Sequence, residues 1–309
     1  MPVRSALSIQ VPGSIANLGP GFDTLAVAVK LYLRLAVQFQ PGVDDLTFRF
    51  RDCSPGGENY IERAFRFLAR QHGGSFPSLS VDVSSDIPTK AGLGSSAAAT
   101  VAGLRLYELI AGPLSTQGLL NAACALEGHP DNVSAALLGG LTVSCQMPDR
   151  SAFAVRMQWP QSLRFVVLTP DLSLATSHSR EALPNLVSRE DAVFNLQRVS
   201  LLLQALQSGE FSLLREALQD RLHQPFRQRL VPGLEEALTL EHPDLLGVCL
   251  SGAGPSIVAL AERNLDEIES LLSQSFAKSG LPYTIRHLVA HQEIEASARM
   301  QEPTVSRRR

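Results

Sequence analysis

Between residues 25 and 39 every odd position is apolar (Leu25, Val27, Val29, Leu31, Leu33, Leu35, Val37, Phe39), whereas Lys30, Arg34 and Gln38 take the other face. Alternation of this length predicts a long half-buried strand. Leu46, Phe48 and Phe50, and again Leu79, Val81 and Val83, repeat the pattern on a shorter scale and predict two more strands. In residues 59–70 the period changes, because Ile61, Ala64, Phe65 and Leu68 fall on one helical stripe. Small residues through 95–110 predict a helix that can sit close under a sheet, and Ser115 is the expected N-cap of a helix running toward Glu127.

Residues 142–146 read as a strand, and the stretch 147–161, with Pro148, Asp149 and Pro160, is the candidate boundary. A second series follows, with strands expected at 163–168, 246–250, 256–260 and 283–289 and helices at 192–207, 211–222 and 265–276. The expected architecture is α+β in two lobes, residues 1–155 and 156–309, with no internal repeat and no low-complexity segment.

Composition narrows the class. A chain of 309 residues, 45% hydrophobic and only 18% charged, has room for one large or two medium domains and a sizeable core, which excludes a coiled coil, a fibre or a disordered tail. A net charge of -3 gives no extended basic surface for a nucleic acid, and the run Arg307, Arg308, Arg309 reads as a solvated tail. Cys53, Cys124, Cys145 and Cys249 are scattered without C-x-x-C spacing, so buried free thiols in a reducing compartment are expected. Residues 1–11 hold no apolar core of a signal peptide, and Gly112, Pro113 and Gly118 break the uncharged stretch 109–126. The expectation is a cytoplasmic protein with no membrane partner.

The strongest chemical signal is Pro88-Thr89-Lys90-Ala91-Gly92-Leu93-Gly94-Ser95-Ser96-Ala97-Ala98, a glycine loop between a strand and a helix. Such a loop lets backbone approach a phosphate, and the helix N-terminus offers unpaired N–H groups and a positive dipole end. It is neither a Walker nor a Rossmann loop, and alone it is also compatible with a plain turn. Two further segments have similar chemistry. Residues 12–23 form a dense turn sequence holding Asn17 and Asp23, and Ser251-Gly252-Ala253-Gly254-Pro255-Ser256 joins two apolar strands.

In this order and spacing the three segments resemble those of the GHMP kinase superfamily: P-x-x-x-A-N-L-G-P-G-F-D, P-x-x-x-G-L-G-S-S-A-A and S-G-x-G-P-S. Within it the full first segment, Glu127-Gly128-His129-Pro130-Asp131-Asn132-Val133 and Thr176-Ser177-His178-Ser179-Arg180 are most similar to the homoserine kinase branch. The resemblance implies a two-lobe fold, with a left-handed βαβ unit in the N-terminal lobe and a ferredoxin-like C-terminal lobe. It also implies ATP and Mg²⁺ as cofactors, L-homoserine as substrate and O-phospho-L-homoserine as product, in threonine biosynthesis. Family resemblance alone suggests a homodimer.

Under this resemblance the loop from Pro88 to Ala98 surrounds the triphosphate, with Ser96 and Glu127 as the Mg²⁺ pair; a solvated carboxylate at a helix end is the other reading of Glu127. Asn59 matches a position that meets adenine in related kinases, and is equally a helix N-cap. Homoserine is a zwitterion, so its pocket needs a cation for the carboxylate, an acceptor for the ammonium and polar groups near the hydroxyl. Arg180 and Arg227 are assigned to the carboxylate, Asp23 to the ammonium, and Asn17, His129 and Asn132 to orientation. His129 is otherwise a structural histidine bonded to a loop carbonyl. Asp131 is either the base or an orienting group, and Lys90 either reaches a phosphate or lies on the surface. The competing functions are another small-alcohol kinase of the superfamily, of mevalonate or shikimate type, and a non-catalytic ATP-binding sensor.

Overall fold

The computed structural model describes residues 7–54 and 57–293. Its strands are β1 (Leu7–Ala16), β2 (Leu25–Val43), β3 (Leu46–Phe50), β4 (Pro77–Ser85), β5 (Leu141–Gln146), β6 (Ala152–Met157), β7 (Arg164–Pro170), β8 (Gly247–Leu250), β9 (Ile257–Ala261) and β10 (Tyr283–Leu288). The helices are α1 (Tyr60–His72), α2 (Ser95–Ala111), α3 (Thr116–Glu127), α4 (Asp131–Leu138), α5 (Thr176–Glu181), α6 (Arg189–Ser208), α7 (Leu214–Ala217), α8 (Gln224–Arg227), α9 (Leu234–Leu238) and α10 (Leu265–Phe276).

The six N-terminal strands form one sheet in the order β3-β4-β2-β5-β6, with β1 also paired to β2. Strand β2 buries its odd positions from Leu25 to Val37, as its alternation predicts. Ala26 and Ala28 are buried too, against Ala16 of β1 and Ala135 of α4, because alanines let that helix sit directly on the strand. Strands β3 and β4 run parallel and are joined through α1, which makes the βαβ unit. Helix α1 buries Ile61, Ala64, Phe65 and Leu68, the stripe expected from the sequence.

Strands β7 to β10 form a second, antiparallel sheet in the order β10-β7-β9-β8, with α5 to α9 between β7 and β8 and α10 between β9 and β10. This β-α-β-β-α-β order is ferredoxin-like. Beyond β10 the chain returns to the first sheet: Ala290 bridges Val29, His291 N–H donates to the Ala28 carbonyl at 2.8 Å, and Gly140 N–H donates to the His291 carbonyl at 2.7 Å.

Four local expectations need correction. The segment 12–23 is strand as far as Ala16, and its Pro12-Gly13 pair marks a register shift opposite β2. Proline is accommodated at this irregularity, where the ladder between β1 and β2 is interrupted. The candidate boundary 147–161 contains β6, whose apolar Phe153 and Val155 point to solvent at the edge of the sheet, so its pattern is inverted. The helix expected over 211–222 stops at Ala217, because the Asp220 carboxylate takes the N–H groups of Leu222, His223 and Gln224 and starts a new turn. Cys124 and Cys249 are buried, but Cys53 is half-buried and Cys145 exposed. The Arg307–Arg309 tail lies outside the described residues, and among those described no helix is long and apolar enough to cross a membrane.

Candidate active site

The three glycine-bearing segments, far apart in sequence, interlock through backbone. Ser14 N–H donates to the Leu93 carbonyl at 3.1 Å, Ser256 N–H to Ala91 at 3.2 Å, and Gly252 N–H to Ala16 at 3.0 Å. The Ser251 hydroxyl donates to the Gly92 carbonyl at 2.7 Å. The fit leaves no room for side chains: a Cβ on Gly92 would lie 2.3 Å from the Ser251 carbonyl oxygen, and one on Gly94 2.3 Å from Ser14 Oγ. Both glycines also have φ in the left-handed region, at 76° and 73°.

Gly94 is the N-cap of α2 and supplies no capping side chain. The first bond within the helix backbone is Ala98 N–H to the Gly94 carbonyl, at 2.9 Å, so the N–H groups of Ser95, Ser96 and Ala97 are left for a ligand. A long helix begun by an open glycine cap presents its positive end where an anion can sit. The loop therefore fits a triphosphate.

A cavity of about 440 Å³ opens over this terminus. Every site residue expected from the sequence lines it except Pro88, Leu93, Ala97, Ala98 and Glu127. Leu93, Ala97 and Ala98 are buried in the core beneath the loop. At one end Leu33, Phe50, Ile61 and Val83 make an apolar wall beside Asn59, which also caps α1 by accepting from Ile61 and Glu62 N–H at 3.2 and 3.3 Å.

Glu127 stands one hydrogen bond behind the wall. Its side chain is only 6% exposed, and it accepts from Ser96 Oγ and Thr100 Oγ1, each at 2.8 Å, with an Arg63 nitrogen at 3.5 Å. The reading of Glu127 as a solvated carboxylate is thereby overturned. Ser96 and Thr100 are one helical turn apart, so both hydroxyls reach the same carboxylate. A carboxylate and a hydroxyl are hard oxygen donors, which suits Mg²⁺. Lys90 lines the cavity rim with an exposed side chain and φ of 54°.

The other end is built from side chains of distant elements. Arg180, in α5, forms a two-pronged ion pair with Asp23 at 2.6 and 2.9 Å. Burial opposes the Arg180 charge, but the Asp23 carboxylate outweighs it and holds the pKa above its ordinary value. Asn17 gives its amide proton to the Gly252 carbonyl and accepts from Asp23 N–H, each at 3.1 Å, so it ties the first and third segments together.

Asp131, at the start of α4, is 2% exposed; its Oδ1 accepts from His129 Nδ1 at 2.7 Å and from Asn132 N–H at 2.8 Å. His129 is therefore bonded to a carboxylate, not to the loop carbonyl of the structural alternative. Burial disfavours its imidazolium, yet the Asp131 hydrogen bond and charge raise its pKa overall. Asn132 Oδ1 accepts from Ser14 Oγ at 2.7 Å. Arg227, in α8, is 2% exposed, and burial followed by repulsion from Arg180 lowers its pKa to about 10. The Phe22 ring is near both guanidinium groups, its centroid 5.5 Å from Arg180 and 5.4 Å from Arg227.

Sequence reasoning missed Ser14, Phe22, Arg63, Thr100 and His223. The spacing of Thr100 from Ser96 was a usable signal, because residues one turn apart share a helix face. His223, four residues before Arg227, offered the same spacing signal, whereas Phe22 is brought to its arginines only by tertiary structure.

A phosphate-ready helix terminus, a buried hydroxyl–carboxylate pair beside it and a charged pocket between two lobes define a kinase of the GHMP class. The family description "GHMP kinases N terminal domain" matches residues 59–140, and "GHMP kinases C terminal" matches residues 202–278. The chain is 40% identical over 286 residues to homoserine kinase of Solibacter usitatus, covering 90% of this chain and 92% of that one. It is 39% identical over 280 residues to homoserine kinase of Deinococcus radiodurans, with 89% and 91% covered. Among solved structures, homoserine kinase from Cytophaga hutchinsonii superposes with a TM-score of 0.83 at 24% identity, covering 95% and 98% of the two chains, a likeness of fold. The chain belongs to the homoserine kinase family.

Proposed function

We propose that this cavity catalyses ATP + L-homoserine → ADP + O-phospho-L-homoserine, the phosphorylation that feeds threonine biosynthesis, with each of its two ends holding one substrate. The observation carrying this reading is that one cavity joins an open helix N-terminus to an aspartate and two arginines. ATP, with Mg²⁺ at Ser96 and Glu127, supplies the phosphoryl group and the cation that neutralises it.

Phosphoryl transfer asks the protein mainly for positioning and charge stabilisation. The N–H groups of Ser95, Ser96 and Ala97 hold phosphate oxygens, and Thr100 keeps Glu127 turned toward Ser96. Arg227 binds the homoserine carboxylate together with Arg180, and Asp23 receives the ammonium. Because Asp23 and Arg180 already satisfy each other, an amino acid enters by sharing that ion pair, its carboxylate toward the arginines and its ammonium toward the aspartate. Asn132 and His129 orient the hydroxyl end. Asp131 takes the orienting role, its Oδ1 holding the His129 ring and the Asn132 N–H. In this division residues 1–155 carry the nucleotide, and residues 156–309 add Arg180, Arg227 and the Ser251–Ser256 loop.

A coupled ADP-release assay with Mg-ATP tests the reading against L-homoserine, mevalonate, shikimate, L-serine and galactose, with Glu127→Ala as control. Turnover with homoserine alone, lost in the control, is expected. Turnover with mevalonate or shikimate instead would overturn the assignment of the charged end, and ATP binding without turnover would favour a sensor.

A further inference from the structure

Arg227 is unusual among the charged groups of the site because the partners that hold it are all uncharged. Its Nε donates to the Ser179 carbonyl at 3.3 Å, and Nη1 donates to the Gly252 carbonyl at 3.0 Å and to His223 Nδ1 at 3.2 Å. Among the described residues no carboxylate forms an ion pair with it, and the two protons on Nη2 have no partner. The guanidinium thus keeps its full charge and one free edge for an anion in the cavity it lines.

The third neutral partner, His223, is fully buried and one helical turn before Arg227. Its protonation is dictated by its neighbours. Nε2 lies 2.7 Å from the Gly19 carbonyl oxygen, which can only accept, and 3.5 Å from Asp220 Oδ2, so Nε2 carries the proton. Nδ1 faces a guanidinium, which can only donate, so Nδ1 carries the lone pair. The ring also stacks on Phe22, with centroids 5.3 Å apart. Burial lowers its pKa, in keeping with a ring held neutral.

We propose that His223 is a positioning residue for the known reaction: anchored on the Gly19 carbonyl through Nε2–H, it fixes the Arg227 guanidinium through Nδ1 so that the free Nη2 edge meets the homoserine carboxylate. This rests on the reading of Arg227 as a carboxylate-binding residue. A neutral acceptor at this place orients the guanidinium without neutralising it, which a carboxylate could not do. A flexible, unanchored arginine would have to be ordered by each incoming substrate, and affinity would fall.

Two substitutions separate orientation of Arg227 from simple support of the Gly19 turn. Asn is short and retains an acceptor oxygen near the Nδ1 place but loses the reach to Gly19; Gln retains a donor near the Nε2 place but loses the acceptor for Arg227. In steady-state assays H223Q is expected to raise the homoserine KM about tenfold or more, with kcat and the ATP KM within about twofold, whereas H223N stays within about threefold of the parent for all constants. Equal losses in both, a larger loss in H223N, or a fall in kcat at unchanged KM would overturn the proposal. Thermal unfolding of each protein shows which variants fold.

A second measurement needs no folded variant. Imidazole ¹⁵N spectra of the ¹⁵N-histidine-labelled parent, with the His223 ring assigned through its contact with the Phe22 ring and so separated from the buried His291 ring beside Tyr32, should show His223 neutral and protonated at Nε2 from about pH 6 to 9, far from the ordinary titration near 6.5. An Nδ1–H tautomer of the His223 ring, or its charging at pH 6, would contradict it. If the parent does not phosphorylate homoserine, the substrate reading fails, while the spectra still decide the bond between His223 and Arg227.

Discussion

The two ends of the cavity are made differently. At the nucleotide end the recognising groups are N–H groups of α2 and a loop whose glycines leave no space for a Cβ, with one hydroxyl–carboxylate pair beside them. At the proposed homoserine end the groups are side chains brought from the β1–β2 turn, α4, α5 and α8; Asp23 with Arg180 and His129 with Asp131 hold each other by charge, and Arg227 is held by uncharged partners. A backbone-built site tolerates few residues at few positions and serves a group every kinase of this kind shares. A site built of side chains takes its shape from tertiary packing and determines which alcohol enters.

This contrast can be broken at several points. The largest effect is expected at Glu127, where Glu127→Ala removes the buried carboxylate beside Ser96; kcat should fall about 10³-fold while homoserine binding to nucleotide-free protein, measured by calorimetry, stays within about twofold. Loss of homoserine binding in that protein would merge the two ends. Next is Gly94→Ala, which puts a Cβ 2.3 Å from Ser14 Oγ at a left-handed φ. Strain of about 1–3 kcal/mol should raise the ATP KM roughly tenfold and lower the melting temperature. A larger rise in the homoserine KM would contradict the division.

Thr100→Val deletes one of the two hydroxyls that hold Glu127, worth about 1 kcal/mol, and should raise the Mg²⁺ concentration for half-maximal rate about fivefold. An unchanged Mg²⁺ requirement would remove Thr100 from the account. Lys90→Ala, at the exposed rim, should change the ATP KM by no more than about threefold.

The smallest effect concerns pH. His129 has its pKa raised by Asp131, so their pairing stabilises the fold fully below the unfolded value of about 6.5 and less as pH rises through the folded value. The melting-temperature gap between the parent and His129→Gln should therefore narrow from pH 6 to pH 8.5. A gap that widens would show that the charged pair is not what His129 contributes.

The same contrast explains what the sequence made legible. Alternation identified β2 and a helical stripe identified α1, because each buries one face of a regular element. The loop from Pro88 to Ala98 was recognisable since its glycines are required by contacts with Ser251 and Ser14. Strand β6 escaped because an edge strand exposes Phe153 and Val155, and α8 because its turn is started by Asp220, a side-chain cap whose acceptor role no periodicity reveals. Asp23 and Arg180 were both expected in the pocket, yet their mutual ion pair depends on how α5 meets the β1–β2 turn, a tertiary fact. The spacing of His223 and Arg227, one turn apart, was legible, but the anchoring of His223 on the Gly19 carbonyl is again tertiary.

The most direct test of the division is the kinetics of Arg180→Ala, which removes the guanidinium from the homoserine end and leaves the glycine loop and Ser96–Glu127 untouched. The homoserine KM should rise about 30-fold or more while the Mg-ATP KM stays within about twofold. A rise in the Mg-ATP KM with the homoserine KM unchanged would contradict the separation of the two ends.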